Sequence, residues 1–202
     1  MKIEISKEAN LPSRFGNFIM QSFREICEND NCQHVLEHLV IRTKNLSDLP
    51  LVRVHSECLT GDALGSLKCD CGQELELALR QIHESQNGML IYLRQEGRGI
   101  GLFNKINAYN LQDQGLDTVE ANRALGFKDD EREYEITNVI FKHYNIKEIN
   151  ILTNNPKKIA HLEKYVKVTR SSIFVKSNPH NKNYLAIKRD KLGHLLEEND
   201  NL

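Results

Sequence analysis

Three observations predict an α/β fold: a single layered domain with a mixed sheet flanked by helices and an antiparallel N-terminal portion. From Leu51 onward, strand-like apolar runs alternate with segments whose apolar residues recur at helical spacing, the pattern of strand-helix-strand layers. Before Leu51 the apolar runs are all strand-like, with no helical segment between them, which suits antiparallel pairing. At 202 residues, with 40% hydrophobic content and no repeat or low-complexity linker, the chain supports one well-buried core and not two. The domain is expected to span residues 1–202, with a polar tail from about Glu197 that frays.

The segment Phe15 to Phe23 alternates loosely after the Leu11-Pro12 break, and His34 to Arg42 is rich in β-branched residues and leucine, so both read as strands. Leu51 to His55 is a third strand, which runs straight into a cysteine cluster. Beyond Cys71, the residues Leu75, Ala78, Leu79 and Ile82 fall at i, i+3, i+4 and i+7, a helix that stops at about Asn87-Gly88. Met89 to Leu93 is a continuous apolar run bounded by Gly88 and Arg94, the mark of a buried central strand. A glycine-rich loop, Arg94 to Gly101, precedes a segment in which Leu102, Phe103, Ile106 and Tyr109 again show helical spacing. Thr118 to Leu125 reads as a helix with Asp117 or Thr118 as N-cap and Gly126 as its stop. Ile136, Val139, Ile140 and His143 mark a further helix, Glu148 to Thr153 a strand, and Pro156 opens a helix carrying Ile159, Leu162 and Val166. Val166 to Thr169 and Ile173 to Val175 read as a last strand pair, before a C-terminal helix that continues to about Leu196.

The chemistry is concentrated between Arg53 and Cys71, a stretch holding three of the five cysteines, Cys58, Cys69 and Cys71. Three thiolates suit a borderline-soft divalent cation, zinc before others. The paired C-x2-C knuckles of closed structural sites are absent, which favours three ligands and an open position for water. The competing reading makes His55 a fourth ligand of a structural site. Zinc lowers the pKa of bound water from about 15.7 to about 7, but three thiolates leave the complex net negative and acidify water less than neutral imidazoles would. A nearby cation or base is therefore needed. The other pair, Cys27 and Cys32, has no further ligand cluster beside it and reads as free thiols.

A formal net charge of −1 gives no global attraction to nucleic acid or to an anionic membrane, so a polyanionic ligand must be held by local basic residues. No signal-peptide core and no run of 18 apolar residues is present, and the odd, clustered cysteines suit a reducing compartment, so a cytoplasmic protein is expected. The loop Gln95-Glu-Gly-Arg-Gly-Ile-Gly101 lacks the dinucleotide spacing and no P-loop occurs, leaving a phosphate cradle and a simple tight turn both open. The charge run Lys128 to Glu133 reads by itself as a solvated face.

Four motifs in one order, RVHSECLTGDALGSLKCDCG, RQEGRGIGL, NKINAYNLQDQGLDTVEAN and LTNNPKK, together with Asp130-Glu131-Arg132, resemble the GTP cyclohydrolase II family from about Leu11 to Leu196. The resemblance implies opening of the guanine imidazole ring of GTP with release of formate and pyrophosphate, giving 2,5-diamino-6-hydroxy-4-(5-phosphoribosylamino)pyrimidine, the first step of riboflavin biosynthesis. It implies Cys58, Cys69 and Cys71 as ligands of one zinc per chain, and a GTP site lined by Arg53, Val54, His55, Ser56, Glu57, Glu96, Gly97, Arg98, Thr118, Thr153 and Lys158. It further implies Asp130 as proton acceptor, Arg132 as nucleophile, Tyr109 as an active-site tyrosine, a homodimer, and Mg2+ with the triphosphate. Because a guanidinium has a pKa above about 12, Arg132 is equally readable as a charge clamp on the phosphoryl group. Glu74 stands where the family usually has glutamine, and its carboxylate could accept from the N1–H and amino group of guanine. Many relatives carry an additional N-terminal dihydroxybutanone phosphate synthase half, and a chain of this length is expected to supply only the cyclohydrolase activity. Two alternatives stand beside this reading. One is a family member with an altered product, by partial ring opening or conversion of GTP to GMP. The other is a zinc-stabilised nucleic-acid-binding module, which near-neutral charge and 6% aromatic content disfavour.

Overall fold

The structure, a computed structural model, describes residues 2–29 and 32–195, with the side chains of 27–34 and of Asn183 outside the description. The thiols of Cys27 and Cys32 and the tail from Glu197 therefore lie outside the described part. The N-terminal strands are β1 (Lys2–Ile5), β2 (Ala9–Ser13), β3 (Gly16–Asn29) and β4 (Cys32–Arg42). They are followed by β5 (Leu51–Ser56), α1 (Leu59–Asp62), α2 (Cys71–Ser85) and β6 (Gly88–Leu93). Next come α3 (Gly101–Asp113), α4 (Thr118–Ala124), α5 (Ile136–His143), β7 (Glu148–Leu152), α6 (Pro156–Leu162), β8 (Lys167–Ser171) and α7 (Lys182–Asp190).

One mixed, eight-stranded sheet runs in the order β1-β3-β4-β6-β5-β7-β8, with β2 also paired to β3. The pairs β1–β3, β2–β3, β3–β4 and β4–β6 are antiparallel. From β6 to β8 the pairs are parallel, as strands joined by crossover helices must be. The short strands β1 and β2, which periodicity does not single out, lie end to end along one side of β3: Lys2 to Ile5 oppose Ile26 to Phe23, and Ala9 to Ser13 oppose Met20 to Gly16. Pro12 is tolerated there because β2 has no partner on its other side among the described residues.

Strand alternation builds two cores. Met89, Ile91 and Leu93 of β6 and Val52 and Val54 of β5 pack with Ile136, Ile140 and Phe141 of α5 on one face. Leu90 turns to the other face, against Ala78, Leu79 and Ile82 of α2. Each fully buried aliphatic chain contributes about 1.5–3 kcal/mol, so β6, covered on both faces, anchors the layers. The same alternation turns Arg53 and His55 away from Val52 and Val54, toward the side occupied by α2.

Asp117 is the N-cap of α4 in a reciprocal capping box with Glu120. Asn155 caps α6 by accepting from Lys157 N at 3.0 Å and Lys158 N at 3.3 Å, with Pro156 in the first turn, and Lys158 reaches Val54 O near the C-terminal end of β5. Three readings change. Ile173 to Val175 is not a strand: the side chain of Asn154 takes its place as partner, donating to Ile173 O at 2.5 Å and accepting from Ile173 N at 3.4 Å. The C-terminal helix ends at Asp190 and not near Leu196. On α3 the apolar residues at helical spacing are not the buried ones: Phe103 is 79% exposed and Ile106 49%, while Lys105 and Ala108 face inward.

Candidate active site

Strand β5 ends at Ser56 and delivers Cys58 to the start of α1; Cys69 and Cys71 lie at the start of α2. The three sulfurs lie within 4.8 Å of one another, with Cys58 and Cys69 3.7 Å apart. Tetrahedral zinc with Zn–S near 2.3 Å requires sulfur separations of about 3.8 Å, so the spacing and the donor set both fit zinc. Among the described residues no fourth protein ligand joins them. His55 is not one: its Nε2 lies 3.1 Å from both oxygens of Asp62, which also accepts from Tyr92 Oη at 2.7 Å and Cys58 N at 3.0 Å. The closed-site reading fails because Asp62 takes the imidazole away from the sulfurs.

Two glycines let the chain come close enough. A Cβ on Gly61 would sit 2.9 Å from the Cys69 sulfur and 3.2 Å from that of Cys58, and one on Gly72 would meet Gly61 O at 2.2 Å. Gly61→Ala is therefore expected to give a folded protein that loses its metal on dialysis. Zinc content by atomic absorption checks this, and a full complement of zinc would contradict it.

Hydrogen bonds from the thiols of Cys69 and Cys71 pull the Cys58 pKa far below that of a free thiol, and the bond to Cys58 heads the causes that push Cys69 up to about 11. A metal that binds must drive off the remaining thiol protons. The cation required by a net-negative thiolate site is Lys105, whose Nζ lies 3.1 Å from the Cys58 sulfur and 2.8 Å from Glu96 Oε1. Burial works against its charge, but the Glu96 hydrogen bond and the Cys58 charge raise its pKa above that of an ordinary lysine. Glu96 is itself fixed by Leu59 N at 2.6 Å and Gly97 N at 2.7 Å. Tyr109 Oη is 3.5 Å from Thr60 Oγ1, and burial, the largest influence on it, raises its pKa, so it remains a phenol.

The glycine-rich loop is a tight turn. Gly97 and Arg98 have φ of 63° and 62°, Gly99 has 93°, and a Cβ on Gly99 would lie 2.9 Å from the backbone of Glu131. Arg98 O accepts from Glu131 N at 3.0 Å, so the turn docks on the 130–132 segment while Arg98 Nη1 stays buried without a partner. A non-glycine residue held at positive φ carries strain that the docking must offset. Alongside, Arg132 grips Asp130 through two contacts, Nε to Oδ1 at 2.8 Å and Nη2 to Oδ2 at 2.6 Å. Burial opposes both charges, yet the pairing wins: Asp130 is held below the usual carboxylate range and Arg132 above its usual value. The run that reads as a solvated face is thus partly a built ion pair, with side chains 14% and 18% exposed.

Two adjoining cavities share Ser56, Cys71, Arg98, Arg132 and Tyr184 in their walls. The first holds the cysteines, Glu57, Glu96, Gly97, Lys105, Tyr109, Thr118 and Asn122. The second holds Arg53, His55, Glu74, Thr153, Lys158, Lys188 and His194. Arg53 donates to Leu152 O at 3.0 Å and to Glu74 Oε2 at 2.5 Å, and its Nε is buried without a partner, as is His55 Nδ1. Lys158 Nζ donates to Val54 O at 2.6 Å; burial first, then Arg53 and Arg132, hold its pKa well below that of a free lysine. Positive charges crowded together with the unpartnered donors Arg53 Nε and Arg98 Nη1 describe an anion site. Val54 takes part through its carbonyl alone, since its side chain belongs to the core on the opposite face. Asp130 lines neither cavity and stands behind Arg132.

Glu74 is matched by Arg53 and, at 3.8 Å, by Lys188. The guanine contact expected of it must share the carboxylate with these pairs. Glu74→Ala measures that share: a reduced GTP-to-ATP preference supports the purine contact, and an unchanged one assigns the carboxylate to its ion pairs.

A family model described as GTP cyclohydrolase II matches residues 4–171, spanning the cysteines, the Glu96–Gly99 turn, Asp130-Arg132 and Lys158. The chain belongs to the GTP cyclohydrolase II family. It is 64% identical over 197 residues to GTP cyclohydrolase-2 of Helicobacter hepaticus, covering 97% of this chain and 100% of that one. With the enzymes of the same name from Helicobacter pylori and Campylobacter hominis it shares 58% identity over 195 residues and 56% over 199, covering 96% and 98% of this chain and 99% and 98% of theirs. The GTP cyclohydrolase II segment matched by the model ends before α7, yet α7 and the residues after it bring Tyr184, Lys188 and His194 into the second cavity. No helix among the described residues is long and apolar enough to cross a membrane.

Proposed function

We propose that the protein hydrolyses GTP with release of formate and pyrophosphate, leaving the diaminopyrimidine ribosyl phosphate that begins riboflavin biosynthesis. The observation that carries this reading is the shared wall. A three-thiolate centre suited to hydrolysis at carbon and an arginine-rich anion site suited to phosphate adjoin one another through Cys71 and Arg132. Three waters are consumed: one opens the imidazole ring at C8, one releases the formyl carbon as formate, and one ends on phosphorus as pyrophosphate leaves.

Zinc bound by Cys58, Cys69 and Cys71 would supply an acidified water beside the purine. Lys105 offsets the excess thiolate charge next to Cys58, and Glu96 holds Lys105 in place. The Tyr109 phenol, close to Thr60, remains a proton donor toward the purine. Arg53, Arg98, Arg132 and Lys158 neutralise the triphosphate, which brings Mg2+ with it, and Thr153 and Thr118 supply hydroxyls at the cavity walls. With Asp130 gripping it and its charge stabilised, Arg132 acts as a fixed cation on the phosphoryl group, its planar fork aligned by the carboxylate. The working unit is a homodimer in the cytoplasm, without nucleic-acid or membrane partners.

Incubating the zinc-loaded protein with GTP and Mg2+, and resolving the products by mass spectrometry, tests the reading. Equal amounts of formate and pyrophosphate with the deformylated pyrimidine are expected. A retained formyl group, or GMP as sole nucleotide product, would overturn it in favour of altered chemistry.

A further inference from the structure

Helix α7 lies outside the segment matched by the family model, and its most buried charge is Lys188. The ammonium donates to both oxygens of Asp70, at 2.6 and 2.7 Å, and lies 3.8 Å from Glu74 Oε1. The three side chains are 10%, 4% and 15% exposed, so little water screens them. Asp70 stands between Cys69 and Cys71, whereas Glu74 faces the cationic cavity and holds Arg53. One cation on α7 therefore balances two carboxylates at the start of α2. One of these borders the metal ligands and the other sits where a polyphosphate must enter. The segment after α7 is pinned to the same cavity by Leu195 N, which donates to Asn154 O at 2.8 Å.

We propose that Lys188 is a positioning residue with two effects: it offsets Glu74 so that the anion cavity accepts the triphosphate, and it fixes Asp70 so that the Cys69–Cys71 loop holds its metal. The inference rests on the GTP reading above and adds to it a residue beyond the matched segment. Without Lys188, Glu74 would keep Arg53 to itself and repel the incoming phosphates, while Asp70 would lose its partner beside the thiolates. These two consequences arise from different carboxylates, so they separate experimentally. Buried charges stripped of a partner have large effects, and loss of a group that orients a metal site costs about 10- to 100-fold in metal affinity.

The test compares wild type, Lys188→Met, Lys188→Arg and Lys188→Met/Glu74→Gln. It measures KM and kcat for GTP by formate release, zinc loss to a chelator, and the melting temperature. Formate release by the wild type checks the underlying reading on its own. Given that, Lys188→Met is expected to raise KM by at least about tenfold with a smaller change in kcat, the mark of lost binding energy, and to speed zinc loss by about tenfold or more. Adding Glu74→Gln is expected to restore KM while zinc loss stays fast, because Asp70 is still unpartnered, and Lys188→Arg should recover both. If Lys188→Met does not fold, Lys188→Gln, which keeps a donor for Asp70, carries the KM comparison with the same rescue by Glu74→Gln. A purely structural ion pair would lower the melting temperature and leave KM and zinc loss at wild-type values, and that result, or a double variant no better in KM than the single one, would overturn the proposal.

Discussion

Replacing Arg132 with alanine is expected to reduce pyrophosphate release by about 10³-fold or more, the scale on which an arginine acts on a phosphoryl transition state. The guanidinium lines both cavities and is held in two-point contact by Asp130, so its loss removes the charge at the junction of the two cavities. Arg132→Lys is the sharper variant. It keeps the charge but loses the planar fork that matches the carboxylate on one side and phosphate oxygens on the other, and strong impairment is expected. Asp130 is ionised through the neutral range because the pairing holds its pKa low. Its contribution to stability is present at neutral pH and is lost as pH falls through its depressed pKa, below the ordinary carboxylate range. Pre-steady-state quantification of pyrophosphate checks the Arg132 effects, and near-wild-type release by Arg132→Ala would remove the residue from the chemistry.

The second large effect concerns the metal. Changing Cys58, Cys69 or Cys71 to serine is expected to leave less than about a tenth of the zinc after dialysis, because with no fourth ligand among the described residues each thiolate is a third of that donor set. Serine at Cys27 or Cys32 should leave zinc content unchanged. Full zinc occupancy in a Cys69→Ser protein would refute the ligand assignment.

What the sequence made legible was what is local. Cys58, Cys69 and Cys71 lie within fourteen residues and announce their chemistry by spacing, and the helix after Cys71, the strand at Met89 and the opening of α6 at Pro156 follow from periodicity and capping. The sequence implies a cation beside the thiolates but does not single out Lys105, because its partners Cys58 and Glu96 are brought to it by the fold. Lys188 was hidden for the same reason, 118 positions from Asp70. On α3 the spacing of Leu102, Phe103, Ile106 and Tyr109 reported a helix correctly but not which side is buried: its inward side is Lys105 and Ala108, turned toward the site. β1 and β2 carry little signal because they are only four and five residues long and each sets one side chain, Ile3 or Leu11, against a core, and the false strand at Ile173 arises because an asparagine side chain can satisfy a backbone that a neighbouring strand would otherwise pair.

In the proposed reaction, carbon chemistry falls to the three-thiolate cavity and phosphorus chemistry to Asp130, Arg132 and the cationic cavity beside it. The most direct measurement is the product mixture formed from GTP by a folded, metal-free Cys58→Ser protein in the presence of Mg2+. If the two tools are separate, it releases pyrophosphate and yields GMP with the imidazole ring closed and no formate. Loss of pyrophosphate together with formate, in a protein that still binds GTP, would contradict the division and make the metal a requirement for both steps.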